Sequence, residues 1–230
     1  MKMNSSQKSA TIVGVLFIAC TVSTILSGLL LEPLDAPNYL DNVAANESQV
    51  MIGMLVQCIW ALITVGIPVM LFPILKKHNE ALAIGFFSLR LIEGVFIFLA
   101  LVCQLSLLTL SKEFVAGVLD ASCYLASGTL LHAARDWAIW VGPSITFALS
   151  ALVLNYALYR SKFIPRWLSG WGLVGSLVYI LAELSAFFGF DQFLVVLAAT
   201  LALQEMALAI WLIAKGFNSS AIAFESAKAD

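Results

Sequence analysis

With 230 residues, 61 % of them apolar and only 11 % charged, and a mean hydropathy of +0.97, this chain cannot cover a water-facing surface. A soluble domain carries about 25 % charged side chains and about half apolar ones. The formal net charge of −2 and the lack of a long basic run exclude nucleic acid as a partner and leave membrane lipid as the solvent.

A hydrocarbon core of about 30 Å is crossed by about 20 helical residues. Stretches of that kind lie at 10–31, 51–75, 82–110, 137–159, 167–188 and 193–215. Only helices satisfy their own backbone groups at such lengths in lipid, so the expected fold is all-α, a polytopic transmembrane bundle forming one integral membrane domain over 1–230. The first stretch follows Lys2 and Lys8 and imitates a signal peptide, with Cys20 where a lipoprotein cysteine would stand. Phe17 occupies the place where such sites want leucine, and apolar residues continue to Leu31, so an uncleaved span is expected. Pro68 and Pro73 in the second stretch and Pro143 in the fourth each remove a helix hydrogen bond and predict kinks. The third stretch is longer than a crossing requires, which predicts tilt or an extension into the outer loop.

Residues 114–134 are apolar enough to imitate a seventh span but contain Asp120, Gly128 and His132. They are read as an extra interfacial helix between spans three and four. The fifth stretch opens on Gly170-Trp171-Gly172-Leu173-Val174-Gly175, a G-x-G-x-x-G string. Dinucleotide sites need a strand before that string; a basic loop precedes it here, so the glycines are read as small residues that let helices approach. A phosphate or lipid headgroup near Arg166 is the lesser alternative.

Loop charge sets the orientation. Lys2, Lys8, Lys76, Lys77, Arg160, Lys162, Arg166, Lys215 and Lys228 fall on one side of the six spans, against Lys112 and Arg135 on the other. Cytoplasmic loops carry the excess of Lys and Arg, so both termini are expected in the cytoplasm. Counting 114–134 as a span would send Arg160, Lys162 and Arg166 outside.

The charges within the spans are costly, about 2.5–3.5 kcal/mol each on insertion scales. They are Arg90 and Glu93 in span three, Glu183 in span five and Glu205 in span six. At 100° per residue Arg90, Glu93 and Gln104 share one helix face. Ser169, Gly172, Ser176, Tyr179 and Glu183 make a small and polar stripe on span five, and Ser144, Ala148, Ala151 and Asn155 make another on span four. These faces are expected to meet inside the bundle around Glu205, with Arg90 pairing Glu93 one turn away and Glu205 across the bundle. One arginine against three glutamates leaves an excess of negative charge in low dielectric, so at least one carboxyl, Glu183 or Glu205, is expected to hold a proton.

Arg90, Glu93, Gln104, Tyr179, Glu183 and Glu205 are therefore the candidates for binding a ligand or carrying a proton. His132, Arg135 and Asp136 form a second set of candidates at the outer face, within reach of Glu183. Their bland alternative is a network anchoring the outer helix. Cys20, Cys58, Cys103 and Cys123 show no C-x-x-C spacing, and His78 and His132 lie on opposite sides of the membrane. No metal site and no cofactor are expected. Cys58 and Cys103 fall at similar depth and are read as small apolar fillers.

Several strings look familiar: Arg135-Asp136-Trp137, Gly142-Pro143, Tyr159-Arg160-Ser161, Ile164-Pro165-Arg166-Trp167-Leu168, Gly172 and Gly175, Glu205, Trp211-Leu212-Ile213-Ala214-Lys215-Gly216-Phe217, and the R-x-x-E of Arg90-Leu91-Ile92-Glu93. Together they resemble an uncharacterised bacterial membrane-protein family, domain of unknown function 4386. The resemblance implies a bacterial inner-membrane protein with six or seven spans and implies no activity. It covers the Arg90, Glu93 and Glu205 positions and offers no counterpart for Glu183. Three functions are carried forward. The first is a non-enzymatic protein whose polar cluster fixes helix register or binds a small ligand, a lipid or a partner, a second copy of the chain included. The second is a proton-coupled small-molecule transporter. The third is a membrane-embedded enzyme with an outer-face site.

Overall fold

Six helices long and apolar enough to cross a bilayer make up most of the computed structural model, which describes residues 5–117, 120–190 and 194–229. Lys2, residues 118–119 of the expected extra helix and residue 193 of the expected sixth span lie outside the described residues. The spans are α1 (Ser5–Leu30), α3 (Glu47–Leu75), α4 (Glu80–Val115), α7 (Arg166–Phe187), α8 (Leu194–Ala214) and a 41-residue rod, Ala121–Ser161. That rod consists of α5 (Ala121–Ile139), a π-helical segment Trp140–Thr146 and α6 (Phe147–Ser161). A 3₁₀ turn Glu32–Asp35 and α2 (Tyr39–Ala45) connect α1 to α3, and α9 (Ser219–Ala229) follows α8. Among the described residues there is no strand.

The expected spans coincide with these helices, and the differences lie at the boundaries. The extra helix between spans three and four starts at Ala121 and runs into span four without the break that the sequence reading placed between 134 and 137. Pro143 does not stop the rod because the helix widens into the π segment around it, a common answer to a missing N–H. The Thr146 hydroxyl donates to the Gly142 carbonyl at 2.6 Å, giving that carbonyl a side-chain partner. Pro68 and Pro73 likewise sit inside an uninterrupted α3. The surplus length of α4 appears as helical extension.

Two aromatic groups mark the depth at which lipid ends. Trp140 stacks on Phe187 at 4.9 Å between ring centroids, with Trp137 edge-on to both. At the other end Trp167 meets Trp211 edge-on at 6.4 Å, and Tyr159 lies under Arg166. Along the rod, Trp140 to Tyr159 spans about 29 Å at 1.5 Å per residue. That matches the hydrocarbon thickness and the habit of Trp and Tyr of sitting at its two surfaces. α4, at 36 residues, and the rod, at 41, exceed this by roughly 25 Å or more. Their surplus forms an antiparallel hairpin beyond the Trp140 level; we call this the hairpin end and the opposite one the terminal end.

The hairpin is part of a packed cap. Leu34 of the 3₁₀ turn, Val43 of α2, Val50 of α3 and Leu107 of α4 are fully buried in one apolar cluster. The Ser111 hydroxyl donates to the Leu40 carbonyl, and Lys112 pairs with Glu47. At the terminal end α9 is held by the Asn218 N–H on the Phe163 carbonyl, 2.8 Å, and by His78 Nδ1 against Glu225 Oε1, 2.8 Å.

Inside the slab, lipid tails are as apolar as leucine, so helices are held by close packing and buried hydrogen bonds. A Cβ at Gly172 would collide with the Asn155 side chain, so this glycine of the α7 string serves helix approach, while Gly170 and Gly175 leave room for a Cβ. Asn155 in turn accepts from Gln204 Nε2 at 3.1 Å, and the same nitrogen reaches the Leu168 carbonyl at 3.3 Å.

Candidate functional site

Arg90, Glu93 and Glu205 meet between the two aromatic levels. Arg90 Nη1 lies 3.4 and 3.3 Å from the two Glu93 oxygens, and Nη2 lies 3.1 Å from Glu205 Oε1. The i, i+3 spacing on α4 brings the first pair together, while the second ties α4 to α8. Side-chain exposure is 2 % for Arg90, 3 % for Glu93 and 13 % for Glu205. The guanidinium also lies over the Phe147 ring at 5.0 Å and the Phe86 ring at 5.8 Å, which compensates part of its lost hydration. Its Nε is buried without a hydrogen-bond partner.

The cluster forms the polar wall of a cavity of about 410 Å³, within the usual range for small-molecule pockets. Phe17, Trp60, Phe147 and Tyr179 line it with rings, and Ser144 and Pro143 bring the π segment to its edge. Towards the terminal end, α1 and α8 close against each other where Gly14 leaves no room for a Cβ beside the Ala209 carbonyl. Towards the hairpin end the lining reaches Thr24, Ile25 and Ile139, and Thr24 and Ile25 are exposed. Cys20 also lines it, with its thiol 3.6 Å from the Thr64 hydroxyl.

The remaining candidates divide. Tyr179 lines the cavity together with Ser144, and its i, i+4 spacing puts it on the same face of α7 as Glu183. Glu183 is buried one turn further along α7 and does not line the cavity. Gln104 faces inward as the α4 stripe predicts, but it stands about 16 Å along the helix from Glu93, outside the cavity, with its carbonyl oxygen unpartnered.

His132, Arg135 and Asp136 come together on α5 with Asp35, at the end of the 3₁₀ turn. Arg135 grips Asp35 with two bonds, 2.7 and 3.2 Å. His132 Nε2 lies 2.8 Å from the Leu34 carbonyl, and its Nδ1 lies 3.4 Å from Asp136. Among the described residues no ion pair joins Glu183 to this group. Each partner here belongs to α5 or to the 31–46 connection, so the network clamps that connection to the hairpin.

Gln204, Asp35 and Glu225 are among the polar residues that sequence reasoning missed. Gln204 is one helical step from Glu205 and therefore points elsewhere, into the Asn155 network. Asp35 and Glu225 find their partners 100 and 147 residues away. The four cysteines are free, so no disulfide joins Cys58 to Cys103. Among the described residues no group of His, Cys, Asp and Glu has the arrangement of a metal site.

A family model described as domain of unknown function (DUF4386) matches residues 12–216. No curated protein and no solved structure matches the chain.

Proposed function

We propose that this chain, which belongs to the DUF4386 family, is a multi-span membrane protein that binds a small hydrophobic cation between α1, α4 and α8. The observation that carries the reading is the charge of the cavity wall: one arginine faces two carboxylates, and aromatic rings form the other sides. A cation seated on the exposed side of Glu205 balances the second carboxylate, and ring faces attract it further. A proton competes for the same excess charge. Fixing helix register is a secondary effect of the Arg90–Glu205 bond.

The location and orientation belong to the same proposal. The membrane is the bacterial cytoplasmic one, on the strength of the family resemblance, with both termini and the nine-cation side in the cytoplasm, on the strength of the loop charges. The cavity mouth at the hairpin end then faces outward.

Equilibrium binding of tetraphenylphosphonium to the purified protein in a neutral detergent tests the reading. Saturable binding is expected, weakened at least about tenfold, or about 1.4 kcal/mol, by Glu205→Gln. Folded wild-type protein with no saturable binding would reject it. One observation favours extending binding to proton-coupled transport: the π segment with Pro143 borders the cavity, and π turns concentrate at sites that work or move. Acid-driven uptake of the same cation into vesicles, abolished by Glu205→Gln, is the result that extension requires.

A further inference from the structure

A second cavity, of about 560 Å³, lies at the terminal end and shares no lining residue with the cavity of the polar cluster. Its floor is apolar, made by the buried Phe163, Ile164 and Phe217. Lys162, Arg166 and Lys215 stand around it, and no acidic side chain lines it. Among the described residues none of these three cations has a carboxylate within ion-pair distance. Arg166 is instead propped over the Tyr159 ring at 5.2 Å, which holds its guanidinium at the rim.

Depth and backbone both bear on what fills this cavity. Trp211 lines it and packs on Trp167, so the cavity sits at the level where the hydrocarbon ends and headgroups begin. Lys162 caps α6 with φ of +57°, the one non-glycine among the described residues in the left-handed region. That position ordinarily selects glycine, as at Gly216 with φ of +70° on the same cavity. A lysine there is accounted for when its charge is used.

We infer that this cavity holds the phosphate-bearing headgroup of an anionic membrane lipid. Lys162, Arg166 and Lys215 surround the phosphate, a planar guanidinium and two ammonium groups supplying the charge-assisted bonds. Trp211 and Phe217 lie against the glycerol and the first methylenes. The inference is independent of the cation site.

Native mass spectrometry of the full chain, purified in neutral detergent and titrated with phosphatidylglycerol or phosphatidylcholine, tests it. Phosphatidylglycerol is expected to bind saturably and phosphatidylcholine not to. Each of Lys162→Gln, Arg166→Gln and Lys215→Gln is expected to weaken binding about fivefold, the equivalent of the contribution of one cation near an anionic membrane surface. Lys162→Gly removes the charge while keeping the helix end, so it reports on charge if a glutamine variant fails to fold. Equal binding of both lipids, or unchanged phosphatidylglycerol binding in the triple variant, overturns the inference. Displacement of the lipid by millimolar inorganic phosphate overturns the lipid assignment and makes the ligand a soluble phosphate. Failure of phosphate to compete supports the headgroup.

Discussion

The cluster between the aromatic levels and the cluster beyond them are built from the same groups, an arginine among carboxylates, under opposite conditions. Arg90 is 2 % exposed and faces two carboxylates across a cavity, with one nitrogen left unpartnered. Arg135 is 14 % exposed and also keeps one buried nitrogen without a partner, but its carboxylates Asp35 and Asp136 are 54 % and 59 % exposed, and His132 beside them reaches a backbone carbonyl. In the first place the carboxylates are deep and outnumber the single cation; in the second Arg135 and His132 face two carboxylates, Asp35 and Asp136, that remain largely exposed. An excess of buried carboxylate is the mark of a site kept for something other than stability, while a charge-balanced network whose carboxylates stand near water is a fastener.

Mutations should separate the two by size. Arg90→Gln leaves Glu93 and Glu205 facing each other without a cation, and losing one partner of a buried ion pair typically costs about 3–5 kcal/mol. A large fall in melting temperature in detergent is the expected outcome, and it is the largest effect in the molecule. Arg135→Gln opens the clamp on Asp35 and should cost roughly 1 kcal/mol, since the Asp35 carboxylate it releases stands half in water and stays hydrated. Its signature is local: faster hydrogen exchange over residues 31–46, with unchanged cation binding at the cavity. Tyr179→Phe removes a hydroxyl from the cavity lining, with an expected loss below the roughly 0.5–1.5 kcal/mol of one hydrogen bond. An Arg135 effect as large as that of Arg90 would erase the distinction between fastener and site.

Much of this was legible in residue order. Spans of about 20 apolar residues, the face shared by Arg90 and Glu93, and the excess of carboxylates inside the membrane all follow from local periodicity and charge. What periodicity cannot carry is the behaviour of a helix at its exceptions. His132, Arg135 and Asp136 look like the end of an element because nothing local shows that Asp35 and the Leu34 carbonyl are waiting for them. Pro143 marks the place of an irregularity, but a π turn leaves no mark of its own in the sequence. Gln204 and Glu205 are adjacent, yet one belongs to the Asn155 network and the other to the cavity, and only the packing of α7 against α8 decides which.

The most direct test of the central claim is the melting temperature of Glu205→Gln against wild type in one detergent, with and without tetraphenylphosphonium. The substitution removes one excess carboxylate and keeps an oxygen that can accept from Arg90, so the account predicts an unchanged or higher melting temperature without the cation. It also predicts that the cation stabilises wild type and leaves the variant unmoved. A large fall in the variant, with no response of wild type to the cation, would contradict it and make Glu205 half of a structural lock.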